Sequence, residues 1–381
     1  MPSSHPLWIN SNSTLASHCL QWLTLERVAI DTEFIRTDTY YPLPGLIQLN
    51  TGTQVFLIDP IPITHWQPFF ELLQKPAIIK ILHSCSEDLE VLQHLTGGTP
   101  KPLFDTQLAA AYVGIGYSLS YQKLVKKLLD IELPKDETRS NWRQRPLTAS
   151  QERYATLDVV HLLQIHSILE KVLERKSVKD WVTEDCDSLK SNISKNDPDN
   201  DWKAIKRTWQ LRPQQLAVLK ALFIFREEQS RKRNLPRNWV VPKSSLWSIA
   251  RYQPDNLQAL AEVQGMKPSI VQKDGENLLS VIQAAAHTPA AQHPKSLPGP
   301  LPKRAMEYRK VIKEFIAQQA ILLDVPVEIL LPSKAITPIL HNWINMGQFE
   351  LPDSLKGWRR EVIGKPLIQH LNNLMLIKSS N

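Results

Sequence analysis

Alternating apolar and polar positions mark the first part of the chain as a region of short strands. A strand is predicted over 28–34, where apolar residues alternate with Asp31 and Glu33. Two more strands are predicted over 45–49 and 54–59, with turn-forming residues between them that indicate a hairpin. Three strands with short links predict an antiparallel meander.

Helical periodicity then becomes dominant. Helices are predicted over 10–27, 66–74 and 86–95, with another strand over 77–82. Thr148 and Gln151 have the spacing of a capping box and begin a helix that is predicted to continue to about residue 175. A meander followed by alternating helices and strands predicts a mixed sheet with helices packed on it.

Asp31 and Glu33 project from the same face of a strand that otherwise reads as buried, because strand side chains alternate with period two. Two carboxylates at this spacing repel each other, and desolvation strengthens the repulsion. A divalent cation relieves it, and carboxylate oxygens suit Mg²⁺. Taken alone, the motif is more typical of ordinary strand-end acids in solvent.

A third acid, Asp88, shares a helix face with apolar Val91 and is expected to look inward, toward the first strand. Ser84 and Glu87 have capping-box spacing just before it, which predicts Ser84 as the N-cap. The alternative is that Asp88 only complements the helix dipole. Asp105 is predicted to be a helix N-cap rather than a ligand.

Tyr154 and Asp158 are four residues apart on the long predicted helix, so they lie one above the other on one face. A carboxylate and a phenol on one inward face of a helix indicate that both side chains face a polar site inside the protein. Tyr154 by itself is more typical of a core tyrosine whose hydroxyl is satisfied.

The ordered set of D-x-E, a central Asp and Y-x-x-x-D resembles the DEDD exonuclease family in its tyrosine-containing branch. The surrounding segments are similar to bacterial members of the ribonuclease D type; they are 31–42, 46–48, 83–92, 104–110 and 137–148. The resemblance implies a ribonuclease H-like mixed-sheet exonuclease domain. It also implies a site in which Asp31, Glu33, Asp88 and Asp158 bind two divalent ions, Mg²⁺ or Mn²⁺, with Asp31 between them and Tyr154 orienting the attacking water.

The second half of the chain is predicted to be helical and to resemble HRDC modules, so the predicted fold class is α/β plus all-α. A polar stretch near residue 190 and a Pro- and Ala-rich stretch near 295 indicate linkers. The predicted segments are an exonuclease domain over 1–175, a linker over 176–209, an HRDC domain over 210–287, a linker over 288–303 and a second HRDC-like helical domain over 304–381.

Composition narrows the class of protein. The 381 residues contain 42% hydrophobic positions, enough for real cores, but no apolar run of about 18 residues that could cross a membrane. The N-terminus shows no signal-peptide pattern. Cys19, Cys85 and Cys186 are widely spaced, with neither zinc nor disulfide spacing. A cytoplasmic protein, expected to be a monomer, fits these features.

Charge is unevenly distributed along the chain. Residues 1–170 contain 13 Lys and Arg against 17 Asp and Glu, whereas the rest contains 32 against 21. An acidic half joined to a basic half favours catalysis in the first and polyanion binding in the second. Lys232, Arg233 and Arg237 are the predicted nucleic-acid contacts, the alternative being a solvated helix end.

The family resemblance implies 3′→5′ trimming of structured RNA ends, such as tRNA precursors, with release of 5′-mononucleotides. Two alternatives stay open from the residues. The first is a DNA-directed 3′→5′ exonuclease, because nothing in the motif reads the 2′-hydroxyl. The second is a nucleic-acid-binding adaptor without catalysis, which the presence of all four acids disfavours.

Overall fold

The computed structural model describes residues 5–134, 140–194 and 197–379. Six strands form one mixed sheet in the order β1-β4-β3-β2-β5-β6. They are β1 (Leu7–Ile9), β2 (Arg27–Ile35), β3 (Leu43–Asn50), β4 (Val55–Ile58), β5 (Ile79–Leu82) and β6 (Leu103–Asp105). β3 and β4 pair antiparallel, as the predicted hairpin requires, whereas β1–β4, β2–β5 and β5–β6 pair in parallel.

Eight helices accompany the sheet. They are α1 (Asn12–Trp22), α2 (Gln67–Gln74), α3 (Ser86–Thr96), α4 (Thr106–Tyr112), α5 (Tyr121–Leu129), α6 (Ala149–Val160), α7 (Leu162–Arg175) and α8 (Lys179–Ser194). The prediction had no strand at the positions of β1 and β6, because three residues are too few to show a period of two. The mixed α/β class is confirmed.

The remaining helices form two groups. The first is α9 (Pro198–Asp201), α10 (Pro213–Lys232), α11 (Arg237–Val240), α12 (Lys243–Tyr252), α13 (Leu257–Ala261) and α14 (Pro268–Ala286), with 3-10 turns at Trp202–Ala204, Thr208–Gln210 and Ala290–Gln292. The second is α15 (Lys303–Leu323), α16 (Val327–Leu330), α17 (Ser333–Met346), α18 (Gly357–Arg359) and α19 (Lys365–Ser379), with a π-helical turn at Arg360–Gly364. None of the helices in the described ranges is long and apolar enough to cross a bilayer.

Contacts divide the chain into two units. Unit 1 contains the chain up to Ile35, then Pro44–Ile193, then everything from Leu301 onward. Unit 2 contains Arg36–Leu43 and Ser194–Pro300. The last helical segment, predicted as a separate domain over 304–381, therefore shares the hydrophobic core of the exonuclease region.

The predicted linker over 176–209 also differs from the structure. Its first part is the helix α8, and Val182 and Cys186 on that helix are buried in the core of unit 1. The stripe of apolar residues at a spacing of four, from Val178 to Cys186, is narrow, and the many polar residues of the outer face masked it.

Two local predictions were wrong. The helix that begins after Thr148 ends at Val160, and a second helix begins at Leu162. Ser84 is not a helix cap, since it adopts a left-handed conformation with φ 56° and α3 begins after Cys85 without a side-chain cap. Asp105 does cap α4 as predicted, through the N–H groups of Gln107 and Leu108.

Candidate active site

Three of the four predicted acids converge in unit 1. Asp31 and Glu33 come from the central strand β2 and Asp158 from α6. Each offers a carboxylate oxygen, and the three oxygens lie within 4.8 Å of one another. Residues more than a hundred positions apart are thus brought within the reach of one cation.

Asp88 lies outside this group of three but faces the same place. Its Oδ1 accepts hydrogen bonds from the Thr32 hydroxyl at 2.6 Å and the Thr32 backbone N–H at 3.2 Å. The side chain is only 7% exposed. The predicted orientation of Asp88 toward the first strand is therefore what the structure has, and Thr32, between the two acids of β2, holds it.

Asp158 and Tyr154 share the inward face of α6. The helix begins with the predicted capping box, in which Thr148 and Gln151 each bind the other's backbone N–H. A hydrogen bond from the Tyr154 hydroxyl lowers the pKa of Asp158, but burial is the larger effect and raises it to about 7. Burial likewise raises the pKa of Tyr154 above its ordinary value, so the phenol is a hydrogen-bond donor at neutral pH.

The electrostatics of the acid cluster favour a cation. Burial, reinforced by the charges of Asp88, Asp158 and Glu33, raises the pKa of Asp31 well above its ordinary value. Burial and the charges of Asp158 and Asp88 raise the pKa of Glu33 to about 9. Carboxylates that resist ionisation for these reasons ionise when a divalent ion lies among them. An all-oxygen donor set of this charge fits Mg²⁺ or Mn²⁺.

The loop of residues 140–148, which leads into α6, packs against the tyrosine. Trp142 is buried, and its ring centroid lies 6.0 Å from that of Tyr154. Arg145 anchors the loop to the sheet through Asp59 at 2.6 Å and the carbonyl of Gly45 at 2.6 Å. A Cβ at Gly45 would stand 2.6 Å from the Trp142 Cβ, which explains why β3 has a glycine here.

Sequence reasoning missed two residues that organise this site. Thr32 gave no signal, because its partner Asp88 is 56 positions away. The buried Tyr121 donates a hydrogen bond to the Leu157 carbonyl at 3.1 Å and accepts one from the His161 N–H at 3.2 Å. These two hydrogen bonds of Tyr121 hold the C-terminal turn of α6, which contains Asp158, in place.

The three predicted nucleic-acid contacts lie in unit 2. Arg233 binds both carboxylate oxygens of Asp274, at 2.7 and 2.9 Å. Arg237 binds Glu227 at 2.6 Å and the Tyr40 hydroxyl at 3.0 Å. Of the three, Lys232 is exposed, whereas Arg233 and Arg237 are partly buried. Two of the three cations are thus engaged by protein partners.

Comparison with known proteins identifies the family. The chain is 46% identical over 367 residues to a ribonuclease D of Pseudomonas paraeruginosa, a match that covers 96% of this chain and 97% of the relative. It is 35% identical over 370 residues to the ribonuclease D of Escherichia coli, with 94% and 96% covered. The chain belongs to the ribonuclease D family.

Domain and structure comparisons agree with this membership. Residues 6–174 match a family described as 3′-5′ exonuclease, and residues 215–282 match the HRDC domain. The crystal structure of Escherichia coli RNase D, described as an exoribonuclease involved in structured RNA processing, superposes with a TM-score of 0.86 at 34% identity. That superposition covers 95% of this chain and 97% of the other. This ribonuclease D-family chain is therefore a hydrolytic 3′→5′ exoribonuclease with an acid cluster compatible with divalent metal.

Proposed function

We propose that Asp31, Glu33, Asp88 and Asp158 bind two divalent ions, Mg²⁺ or Mn²⁺, and that Tyr154 positions the attacking water at an RNA 3′ end. The observation that supports this most directly is the convergence of Asp31, Glu33 and Asp158 within 4.8 Å. When bound, two such ions supply charge neutralisation at the attacking and leaving oxygens and lower the pKa of water.

The residues around the ions have separate tasks. Asp31 would supply a carboxylate ligand to the ions, a role that the family resemblance implies for the first acid of the motif. Asp88, fixed by Thr32, adds a further carboxylate to the set. Tyr154 keeps its proton because its pKa is raised, so it orients water by hydrogen bonding and does not act as the base.

The proposed substrates are RNAs with 3′ extensions, including tRNA precursors, and the proposed products are 5′-mononucleotides. The RNase D relative of known structure acts in structured RNA processing, which supports this class of substrate. The proposed setting is the cytoplasm, with the chain acting as a monomer.

The test uses 3′-end-labelled RNA with Mg²⁺. Asp158→Asn and Tyr154→Phe are expected to release labelled mononucleotide far more slowly than the unaltered chain. Asp180→Asn makes the same change as the first variant at an exposed acid of unit 1 and is expected to leave the rate unchanged. Rates like those of the unaltered chain for both site variants would exclude the assignment. A matched DNA oligonucleotide measures the preference for RNA.

A further inference from the structure

One arginine of the loop that leads into α6 has all of its hydrogen-bond donors engaged inside unit 1. The Nε and Nη2 groups of Arg145 donate to the two carboxylate oxygens of Asp59, at 2.7 and 2.6 Å. Nη2 also donates to the Gly45 carbonyl at 2.6 Å, and Nη1 donates to the carbonyls of Trp142 and Gln144, at 3.0 and 2.8 Å. A guanidinium has five N–H groups, so none remains for a phosphate oxygen.

The acceptor Asp59 is itself fixed where β4 ends. Its backbone N–H donates to the Ile9 carbonyl at 2.8 Å, and its Oδ1 accepts the N–H of Ile61 at 3.0 Å. The side chains of Arg145 and Asp59 are 25% and 11% exposed, so water competes little for the two charges. A bidentate charge-assisted pair sets both the distance and the angle between its partners. The loop is therefore held to β3 and β4 at a defined position.

The position of this loop decides what lies behind the Tyr154 ring. Trp142 is 3% exposed and belongs, with Leu147 of the same loop, to a small hydrophobic cluster that packs against Tyr154. The ring centroids of Trp142 and Tyr154 are 6.0 Å apart, within the range of aromatic contacts. Trp142 also meets β3, where a Cβ at Gly45 would come within 2.6 Å of the Trp142 Cβ. Trp142 is thus in contact with both β3 and the tyrosine.

We propose that Arg145 is a positioning residue for Tyr154. By pairing with Asp59 it holds Trp142 against the phenol ring and so fixes the direction of the tyrosine hydroxyl. A phenol turns about two side-chain torsions, and packing against its ring selects among their values. Because the hydroxyl lies at the far end of the ring, a small rotation displaces it from hydrogen-bond geometry. This role rests on the proposed function, in which the hydroxyl orients the attacking water.

Steady-state cleavage of 3′-end-labelled RNA with Mg²⁺ tests this role. Arg145→Gln is expected to lower kcat by about tenfold to a hundredfold, because a misplacement of about 1 Å at a reacting group costs a factor of this size. KM for RNA should change by less than about twofold, because a side chain with no donor left for RNA makes no contact in the bound ground state. The control Arg175→Gln makes the same change at an exposed arginine of unit 1 and should alter neither quantity.

Two kinetic results would overturn the positioning role. An unchanged kcat in Arg145→Gln would show that the tyrosine does not depend on the anchored loop. A raised KM with an unchanged kcat would show that Arg145 contacts RNA instead.

A double-mutant cycle separates positioning from general destabilisation. In the Tyr154→Phe background the hydroxyl is already absent, so Arg145→Gln is expected to lower kcat by less than about twofold further. A purely structural loss would instead multiply with the effect of Tyr154→Phe. Asp59→Asn keeps the shape of the acceptor but removes its charge, and it should show the same dependence on Tyr154 with a smaller loss of kcat. Multiplicative effects in these cycles would overturn the role.

Metal binding without RNA gives a readout that does not depend on turnover. Titration calorimetry with Mn²⁺ is expected to give the same affinity for Arg145→Gln as for the unaltered chain, because the donors of Arg145 all go to groups other than the four acids. Asp158→Asn should bind Mn²⁺ more weakly. Weaker Mn²⁺ binding by Arg145→Gln would show that the arginine supports the acid cluster, which would overturn its assignment to Tyr154. Circular dichroism checks that each variant is folded, and Asp59→Asn carries the test if Arg145→Gln is not.

The two proposals fail in distinguishable ways. A normal kcat in Tyr154→Phe would overturn the role of the tyrosine in the proposed function, and the positioning role with it. A slow Tyr154→Phe beside a normal Arg145→Gln would overturn the positioning role alone and leave the active site as proposed.

Discussion

Single side chains decide how the acids of this site are held. Along β2, Asp31 and Glu33 each bring a carboxylate oxygen close to Asp158, and the hydroxyl of Thr32 between them donates a hydrogen bond to Asp88. One short motif therefore positions two acids directly and a third through a hydroxyl. The 2.6 Å bond from Thr32 makes Asp88 a carboxylate with a fixed orientation inside the protein.

Replacing Thr32 by Val tests this role. The two side chains have similar shapes, so the main loss is the hydroxyl donor to the buried Asp88 carboxylate. We expect the free energy of unfolding to fall by about 1–3 kcal/mol and cleavage to slow, because a buried acceptor loses a partner. Urea denaturation in EDTA and the 3′-end assay measure the two effects. Thr32→Ser keeps the hydroxyl and should stay near the unaltered chain; a Val variant that matches it would contradict this role.

The raised pKa values predict a pH-dependent stability. Without metal, folded Glu33 holds its proton up to about pH 9 and Asp158 up to about pH 7, whereas both ionise near pH 4 when unfolded. The folded state therefore binds more protons across this range, and the metal-free protein loses stability as pH rises through it. Because metal binding needs ionised ligands, the increase in Tm on adding Mg²⁺ should grow between about pH 6 and pH 9.

Thermal unfolding with and without Mg²⁺ at several pH values checks this sign. Asp158→Asn serves as the comparison, since it removes one titrating acid and should flatten the dependence. A stabilisation by Mg²⁺ that shrinks as pH rises would contradict the prediction.

At the scale of elements, the break between α6 and α7 shows how partners from elsewhere end a helix. The helical sequence pattern continues through His161. The helix nevertheless breaks there, because side chains from two other elements form hydrogen bonds with its backbone groups. Asn50 on β3 donates to the carbonyls of Val159 and Val160, at 3.0 and 3.3 Å. Tyr121 on α5 binds both Leu157 and His161. The break fixes the turn of α6 that carries Asp158.

Removing the hydroxyl of Tyr121 should loosen this turn. In Tyr121→Phe the Leu157 carbonyl and the His161 N–H lose a buried partner, which should cost about 1–3 kcal/mol of stability. Because Asp158 follows Leu157 directly, we also expect a higher Mg²⁺ concentration for half-maximal cleavage. Tyr117→Phe changes an exposed tyrosine of the same unit and should alter neither quantity. Unchanged Mg²⁺ dependence in Tyr121→Phe would confine its role to stability.

At the scale of the whole chain, the C-terminal helices are part of the catalytic unit. Arg359 forms a bidentate ion pair with Asp185 on α8, and Asp185 also accepts a 2.5 Å hydrogen bond from the Tyr112 hydroxyl. Next to this network the rings of Trp181 and Trp358 stack with centroids 4.4 Å apart. The Arg359–Asp185 pair connects residues that are 174 positions apart within unit 1.

Breaking this buried pair should destabilise unit 1. Arg359→Met leaves Asp185 without its cation, and we expect the free energy of unfolding to fall by about 3–5 kcal/mol. Lys365→Met breaks the exposed pair with Glu361 and should cost less than about 1 kcal/mol. Urea denaturation compares them. Equal effects would show that the Arg359 network adds nothing beyond a surface ion pair.

Much of the site could be predicted because it depends on local chemistry. The alternation around Asp31 and Glu33, the i, i+4 spacing of Tyr154 and Asp158, and the capping box at Thr148 can each be read within a few residues. Family resemblance then ordered these motifs into one site. The wrong prediction of Ser84 as a helix cap shows where local patterns fail. The backbone N–H of Ser84 donates a hydrogen bond to Asp105, which is 21 positions away.

By itself, the sequence determined which residues carry the chemistry, where most strands and helices lie, and to which family the chain belongs. Those properties follow from side-chain identity and short-range periodicity. Only the tertiary structure decided that Thr32 holds Asp88, that Tyr121 ends α6, and that the last helices join the catalytic unit. Each of these depends on pairing between distant segments, which is chosen by packing and by the need to satisfy buried polar groups, and no local pattern records it.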